Sequence, residues 1–276
     1  MLSQPDAAAR TAPLSLAQQR LWFLEQLDEL GSAYHLSRFI RLRGALDVDA
    51  LARALDGLVA RHDALRTTFA GVDGGAEQRI APAAGAACRL EVQDLGGQGD
   101  REAELRGRMA AEVAAPFDLR RGPLFRTVLF RLAADEHVLL FVVHHIVCDG
   151  WSLSVLAEDI GALYAGGVRG EAHPLAPLPV PYADFMERQR RARSPHAVDA
   201  GKAYWRTALA GVPPLLELPT DRPRPARQQF GGSSVPVEIE EALTAALKAL
   251  AERCGTTLFR TLLAAWGLVA GRLAGP

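Results

Sequence analysis

Residues Val138-Leu139-Leu140-Phe141-Val142-Val143-His144-His145-Ile146-Val147-Cys148-Asp149-Gly150-Trp151 decide how this chain folds. Val138 to Val143 is a continuous apolar run of strand length, which places it inside a sheet with both faces covered. Neighbouring side chains of a strand point to opposite faces, so at most one of the two histidines faces a given cavity. If the alternation persists to the strand's end, His145 shares a face with Val143 and Phe141, and His144 with Val142 and Leu140. Asp149-Gly150 then turns the chain into a helix expected over Trp151 to Tyr164. The first N–H groups of a helix lack intrahelical partners and can face an anion. A histidine at a strand end beside such a terminus can act as a general base near an oxyanion site.

Phe125 to Leu132 supplies the preceding strand, joined through a hairpin-length link, Ala133 to His137. Further upstream, Ser15 and Gln18 have capping-box spacing and open a helix expected from about Ser15 to Leu30. Phe39, Ile40 and Leu42 mark a strand, and Asp47 or Asp49 caps a helix with the stripe Leu51, Leu55, Leu58, Val59. Leu65 to Val72 and Gln78 to Ile80 read as strands around the turn signal Asp73-Gly74-Gly75, and Arg101 to Ala115 as a helix. Downstream, Gly166-Gly167, Gly170 and a series of prolines mark a crossover. Helices are expected over Tyr182 to Arg193, Pro195 to Leu209, Glu241 to Cys254 and Thr257 to Leu273, with a strand near Ser234 to Ile239.

The bulk composition narrows the function classes. The 276 residues are 49% apolar with a formal net charge of -1, which gives no electrostatic reason to expect nucleic acid or an anionic membrane as partner. Mean hydropathy is +0.04, ordinary for a soluble domain. Cys88, Cys148 and Cys254 are odd in number and lack metal-ligand spacing, which fits a reducing cytoplasm better than a disulfide framework. Met1 to Thr11 has no apolar core of a signal peptide, and Leu258 to Leu273 is interrupted by Arg260 and Arg272, as in a core helix rather than a membrane span. His35, His62, His137, His173 and His196 are scattered, and no glycine cluster has a nucleotide-binding pattern.

His144 to Gly150 match H-H-x-x-x-D-G, and in this company the chain resembles the condensation domains of nonribosomal peptide synthetases, within the chloramphenicol acetyltransferase-like acyltransferases. Pro13 to Leu24 (PLSLAQQRLWFL) is similar to the family's opening motif, Arg61 to Phe69 (RHDALRTTF) to its second, and Tyr182 to Phe185 to its fourth. Leu218 to Pro225 (LPTDRPRP) is similar to a frequent linker phrase. AQQRLWFL and DGWS resemble the subtype taking an L-configured donor, and retention of both histidines separates the chain from heterocyclising relatives.

The resemblance implies an α/β fold of two lobes meeting in a V, with the site at their junction. Residues 1–172 would form the first lobe, 173–231 a crossover, and 232–276 the start of a second lobe that is incomplete at Pro276. The implied reaction is aminolysis of a donor acyl or peptidyl thioester by an acceptor aminoacyl thioester. Both substrates would ride on 4'-phosphopantetheine arms of donor and acceptor carrier domains, with an adenylation domain downstream and no cofactor or metal held by this chain. His145 would take the role of general base, abstracting the proton outright or mainly orienting the amine, and Gly150 either serves the tight turn or also offers its N–H to the oxyanion. His144 packs or hydrogen-bonds behind the site, Asp149 pairs with Arg66, and Trp151 is a helix-start and packing residue. A non-catalytic carrier-binding module and an epimerising relative are the rival readings.

Overall fold

In the computed structural model, residues 9–27, 31–73, 75–97, 100–171, 174–226, 230, 232 and 235–275 are described. Two compact units follow one another, Met1–Ser194 and Pro195–Pro276. The first is a mixed α/β body. Strands β1 (Arg10–Pro13), β3 (Thr67–Val72) and β4 (Gly75–Ile80) form a three-stranded antiparallel sheet in the order β1-β4-β3. Strands β2 (His35–Arg43), β5 (Leu90–Asp94), β6 (Phe125–Ala133) and β7 (Glu136–His144) form a second sheet in the order β2-β7-β6-β5. Only the β5–β6 pair of that sheet is parallel.

The apolar run sits where its composition requires. β7 is central, and its alternate side chains feed two separate cores. Leu139, Phe141 and Val143 pack with Leu51, Leu55 and Leu58 of helix α2 (Val48–Arg61) and Leu156 and Ile160 of helix α4 (Gly150–Val168). Val138, Leu140 and Val142 pack on the opposite face with Leu105 of helix α3 (Arg101–Ala114). Covering a strand on both faces removes from water side chains worth about 1.5–3 kcal/mol each, so the run specifies both β7 and its central place. A third core, around Leu14, Phe69, Leu124 and Ile146, joins the two sheets at the end of β7.

Helix starts follow local chemistry. Helix α1 (Leu16–Leu27) opens on a capping box in which Ser15 N–H donates to Gln18 Oε1 at 2.9 Å and Gln18 N–H to Ser15 Oγ at 3.1 Å. The stretch 28–30, also expected to be helical, lies outside the described residues. Of the two aspartates considered for α2, Asp47 is the cap, its carboxylate accepting from Ala50 N–H at 2.8 Å.

Three expected elements differ from the structure. Leu65 and Arg66 belong to a 3₁₀ turn, Asp63–Arg66, and β3 begins only at Thr67. Gly166 and Gly167 lie inside α4, which continues to Val168, because Gly170, at φ +76°, supplies the left-handed residue that ends it. Gly166 instead permits close approach: a Cβ there would lie 2.6 Å from the Pro174 ring. The expected strand at 234–239 is absent from its described part, 235–239; Val235 and Val237 are each 82% exposed, and among the described residues no strand pairs with them. Strands β1 and β5 were not expected.

Helix α5 (Tyr182–Ala192) belongs to the first unit, tied to it through an ion pair of Asp184 with Arg10. The second unit comprises helices α6 (Pro195–Ala208), α7 (Glu241–Arg253) and α8 (Leu258–Ala274), and α8 keeps Phe259 and Trp266 largely exposed. Among the described residues, no helix is long and apolar enough to cross a membrane.

Candidate active site

β7 ends at His144, and the two histidines part there. His144 is 2% exposed on the α3 side of the sheet, as its strand parity predicts. Its Nδ1 accepts the Ile146 N–H at 3.1 Å, so the ring proton resides on Nε2 and points to Glu25 Oε1 at 3.2 Å. Burial, with His35 and His145 nearby, lowers its pKa to about 4. His144 is therefore neutral near pH 7. Burial also raises the Glu25 carboxyl. His35, directly opposite in the β2–β7 register, stacks edge-on with His144 at 5.9 Å and anchors its own Nδ1 on the Val113 carbonyl at 2.7 Å.

His145 lies one residue past the strand and turns the other way. Its N–H extends the antiparallel ladder by one bond, to the Tyr34 carbonyl at 2.8 Å, and its half-buried ring meets the Tyr34 ring edge-on at 6.5 Å. The imidazole lines a cavity of about 470 Å³ within the first unit. Leu21 of α1, Leu65 of the 3₁₀ turn, Val155 and Leu156 of α4, and Val180 and Phe185 around the start of α5 make most of its wall apolar. An imidazole in such a cavity can serve as a general acid or base toward a bound group.

Asp149 is the N-cap of α4. Its Oδ1 accepts the Ser152 N–H at 2.8 Å and the Ser152 hydroxyl at 2.6 Å, and these bonds hold its carboxyl below the usual carboxylate range. The expected Asp149–Arg66 ion pair is not formed. Arg66 Nε donates to the Val59 carbonyl at 3.0 Å and its terminal nitrogen to the Ala81 carbonyl. The guanidinium thus serves backbone acceptors around the 3₁₀ turn, and the helix cap already satisfies the exposed carboxylate.

Gly150 begins α4 with no left-handed φ, and a Cβ added there would meet nothing within 4 Å. The tight turn therefore does not require glycine, and the space above its backbone is open. Trp151 starts the helix but does not pack: it is 83% exposed. Cys148 lines the cavity, yet burial first, with the Asp149 charge adding, raises its thiol to about 12, so no thiolate nucleophile is present at neutral pH.

Several site residues escaped the sequence reading. Gln18 Nε2 donates to Gln78 Oε1 at 3.1 Å and to the Ile146 carbonyl at 3.3 Å. Tyr182, known only from its motif, lines the cavity and donates its hydroxyl to Ser15 Oγ at 3.2 Å. His62 also lines the cavity, with Nε2 at 2.8 Å from Asp159 Oδ2, an oxygen shared with Arg61 Nε at 3.0 Å. The capping-box spacing signalled Gln18, but nothing local signalled its long-range bonds. Among the described residues, no three His, Cys, Asp or Glu side chains are grouped as metal ligands.

The Condensation domain family model matches residues 8–276. Malpibaldin synthetase of Mortierella alpina is 43% identical over 99% of this chain, and chondramide synthase cmdD of Chondromyces crocatus 41% identical over 99%. The chain spans only 5% and 7% of the length of these two relatives. Among solved structures, the X-domain from teicoplanin biosynthesis aligns with TM-score 0.79 and 32% identity, over 99% of this chain and 59% of that one. The starter condensation domain of rhizomide synthetase RzmA aligns with TM-score 0.66 and 26% identity, over 74% of this chain and 49% of that one.

Proposed function

The chain belongs to the condensation-domain family of nonribosomal peptide synthetases, and on that premise we propose that it carries the catalytic histidine of an amide-forming acyl transfer, His145. The observation that carries this reading is the divergence of the two histidines: one imidazole is sealed as a neutral hydrogen-bonding group, and the next lines an apolar cavity beside a helix start.

In the proposed reaction, the amino nitrogen of an acceptor aminoacyl thioester attacks the carbonyl carbon of a donor acyl or peptidyl thioester. A C–N bond forms and the C–S bond breaks. His145 takes the proton that the nitrogen loses and returns it to the departing sulfur. The attacking nitrogen must lose a proton as the amide forms, and an imidazole is the side chain most often used to take it. Both thioesters are carried on phosphopantetheine arms of donor and acceptor carrier domains, and an L-configured donor is the preferred class. The N–H of Gly150, at the open first turn of α4, faces the developing oxyanion. Asp149 and Ser152 fix that turn, and Arg66 fixes the neighbouring loop. This assignment rests on the helix start and on the vacant space at residue 150.

The test combines donor-loaded and acceptor-loaded carrier domains with the parent synthetase protein, and mass spectrometry of the acceptor arm. An acceptor arm extended through an amide is the expected result. Binding of both carriers without extension would identify a recruitment module, and loss of α-carbon chirality without extension an epimerising one.

A further inference from the structure

Three backbone groups fix the chain at His145 and just after it. Its own N–H is held by the Tyr34 carbonyl at 2.8 Å, and the N–H of Ile146 is held by His144 Nδ1 at 3.1 Å. The third, the carbonyl of Ile146, is held by a side chain distant in sequence, Gln18 Nε2, at 3.3 Å. Gln18 and Gln78 are 2% and 1% exposed.

The polarity of this buried chain has one solution. Ser15 N–H can only donate, so it takes the oxygen of Gln18 at 2.9 Å and leaves the amide nitrogen as the donor facing inward. The Pro13 carbonyl can only accept, so it takes the nitrogen of Gln78 at 2.8 Å and leaves the oxygen of Gln78 facing Gln18 at 3.1 Å. Two amides buried this deeply, with both orientations set by backbone, form a rigid strut between the start of α1, β4 and the loop carrying His145. The side chain of Ile146 adds its own anchor in the third core, at 3% exposure.

We propose that Gln18, backed by Gln78, is a positioning residue for His145: it fixes the peptide unit between Ile146 and Val147, one beyond the unit held by His144 Nδ1, and so holds the backbone that keeps the ring directed into the cavity. The inference rests on the reading of His145 given above. Gln18 touches no substrate in this role. It acts through the direction of another residue's ring, and misplacement by about 1 Å can cost up to 10²-fold in rate.

Gln18→Glu separates this role from helix capping. A glutamate at that position still accepts the Ser15 N–H and keeps the capping box. It replaces the donor with a carboxylate oxygen facing two acceptors. Ser15→Ala does the reverse, weakening the helix start while leaving the amide on Ile146. Gln18→Met, uncharged and close in volume, serves should the glutamate variant fail to fold. The ring signals of ¹⁵N-histidine-labelled chain report the direction of His145 without any need for turnover, and carrier-loaded assays in the parent synthetase report kcat and KM.

Altered His145 ring resonances in both Gln18 variants, with kcat down roughly 10- to 100-fold at unchanged KM, are expected. Ser15→Ala, which also frees the Tyr182 hydroxyl, should lower the melting temperature while His145 resonances stay near wild type. Unchanged His145 resonances in the Gln18 variants would overturn the proposal, as would the same shifts in Ser15→Ala. Displaced resonances with unchanged turnover would uphold the positioning and remove the catalytic reading of His145.

Discussion

The Asp149 carboxylate is bonded within its own helical turn: Oδ1 accepts the Ser152 N–H at 2.8 Å and the Ser152 hydroxyl at 2.6 Å. An aspartate so occupied closes the first turn of α4 and fixes where its free N–H groups point. Arg66 has separate work, clasping the Val59 and Ala81 carbonyls. Asp149→Ala should therefore cost about 0.5–2 kcal/mol of stability, the ordinary value of an N-cap. The double-mutant cycle with Arg66→Ala, measured by denaturant unfolding, should give a coupling below about 0.5 kcal/mol. A coupling of several kcal/mol would restore the ion pair.

Gly150 separates structure from chemistry. Its backbone is not left-handed, and an added Cβ meets nothing within 4 Å. Gly150→Ala should leave the melting temperature within a few degrees of wild type, since alanine is the better helix former. The methyl group would stand beside the N–H assigned to the oxyanion, so amide formation should fall roughly 10-fold or more. Wild-type turnover would remove Gly150 from the site.

The pH dependence of stability follows from His144. Its pKa is about 4 in the fold, against about 6.5 in an unfolded chain. Between those values the unfolded state binds more protons, so stability rises with pH across the window. It is fully present above about pH 6.5 and is lost as pH falls toward 4, with a contribution on the order of 3 kcal/mol. The lowered values of His35 and His137 act in the same direction, whereas the raised carboxyl of Glu25 acts against it. The slope should be smaller in His144→Gln than in wild type, in denaturant titrations from pH 7 to 4. An unchanged slope would show that His144 is not buried as a neutral ring.

Thiol chemistry gives an independent check. Cys148 lines the cavity with its thiol raised to about 12, Cys88 is also buried with its thiol raised, and Cys254 is exposed. Alkylation at neutral pH should label Cys254 first and leave turnover intact. Rapid labelling of Cys148 with loss of activity would contradict the geometry.

The parts of this fold that were readable are those specified locally. Val138 to Val143 could only be a strand covered on both faces, and strand parity alone placed His144 and His145 on different sides of it. Ser15, and the pair Asp47 and Asp49, announced their helices because capping joins residues three apart, and the structure chose Asp47. Arg10–Pro13 and Leu90–Asp94 are short strands defined by their partners β4 and β6 rather than by their own pattern, and they went unread. The same asymmetry governs the site. Parity and motif pointed to His145, whereas Gln18 on Ile146 joins residues far apart in sequence, and Asp149 resolved into a helix cap once its nearest donors were known. The isolated apolar alternation of Val235 and Val237 shows the converse, a strand-like pattern that no strand among the described residues completes.

The most direct test is single-turnover amide formation by the protein carrying His145→Ala, with donor and acceptor carriers preloaded and carrier binding measured in parallel. If this imidazole moves the proton, the variant forms amide roughly 10²-fold more slowly or worse while binding both carriers as before. A rate within a few-fold of the unaltered protein would mean that the chemistry at the end of β7 does not depend on His145.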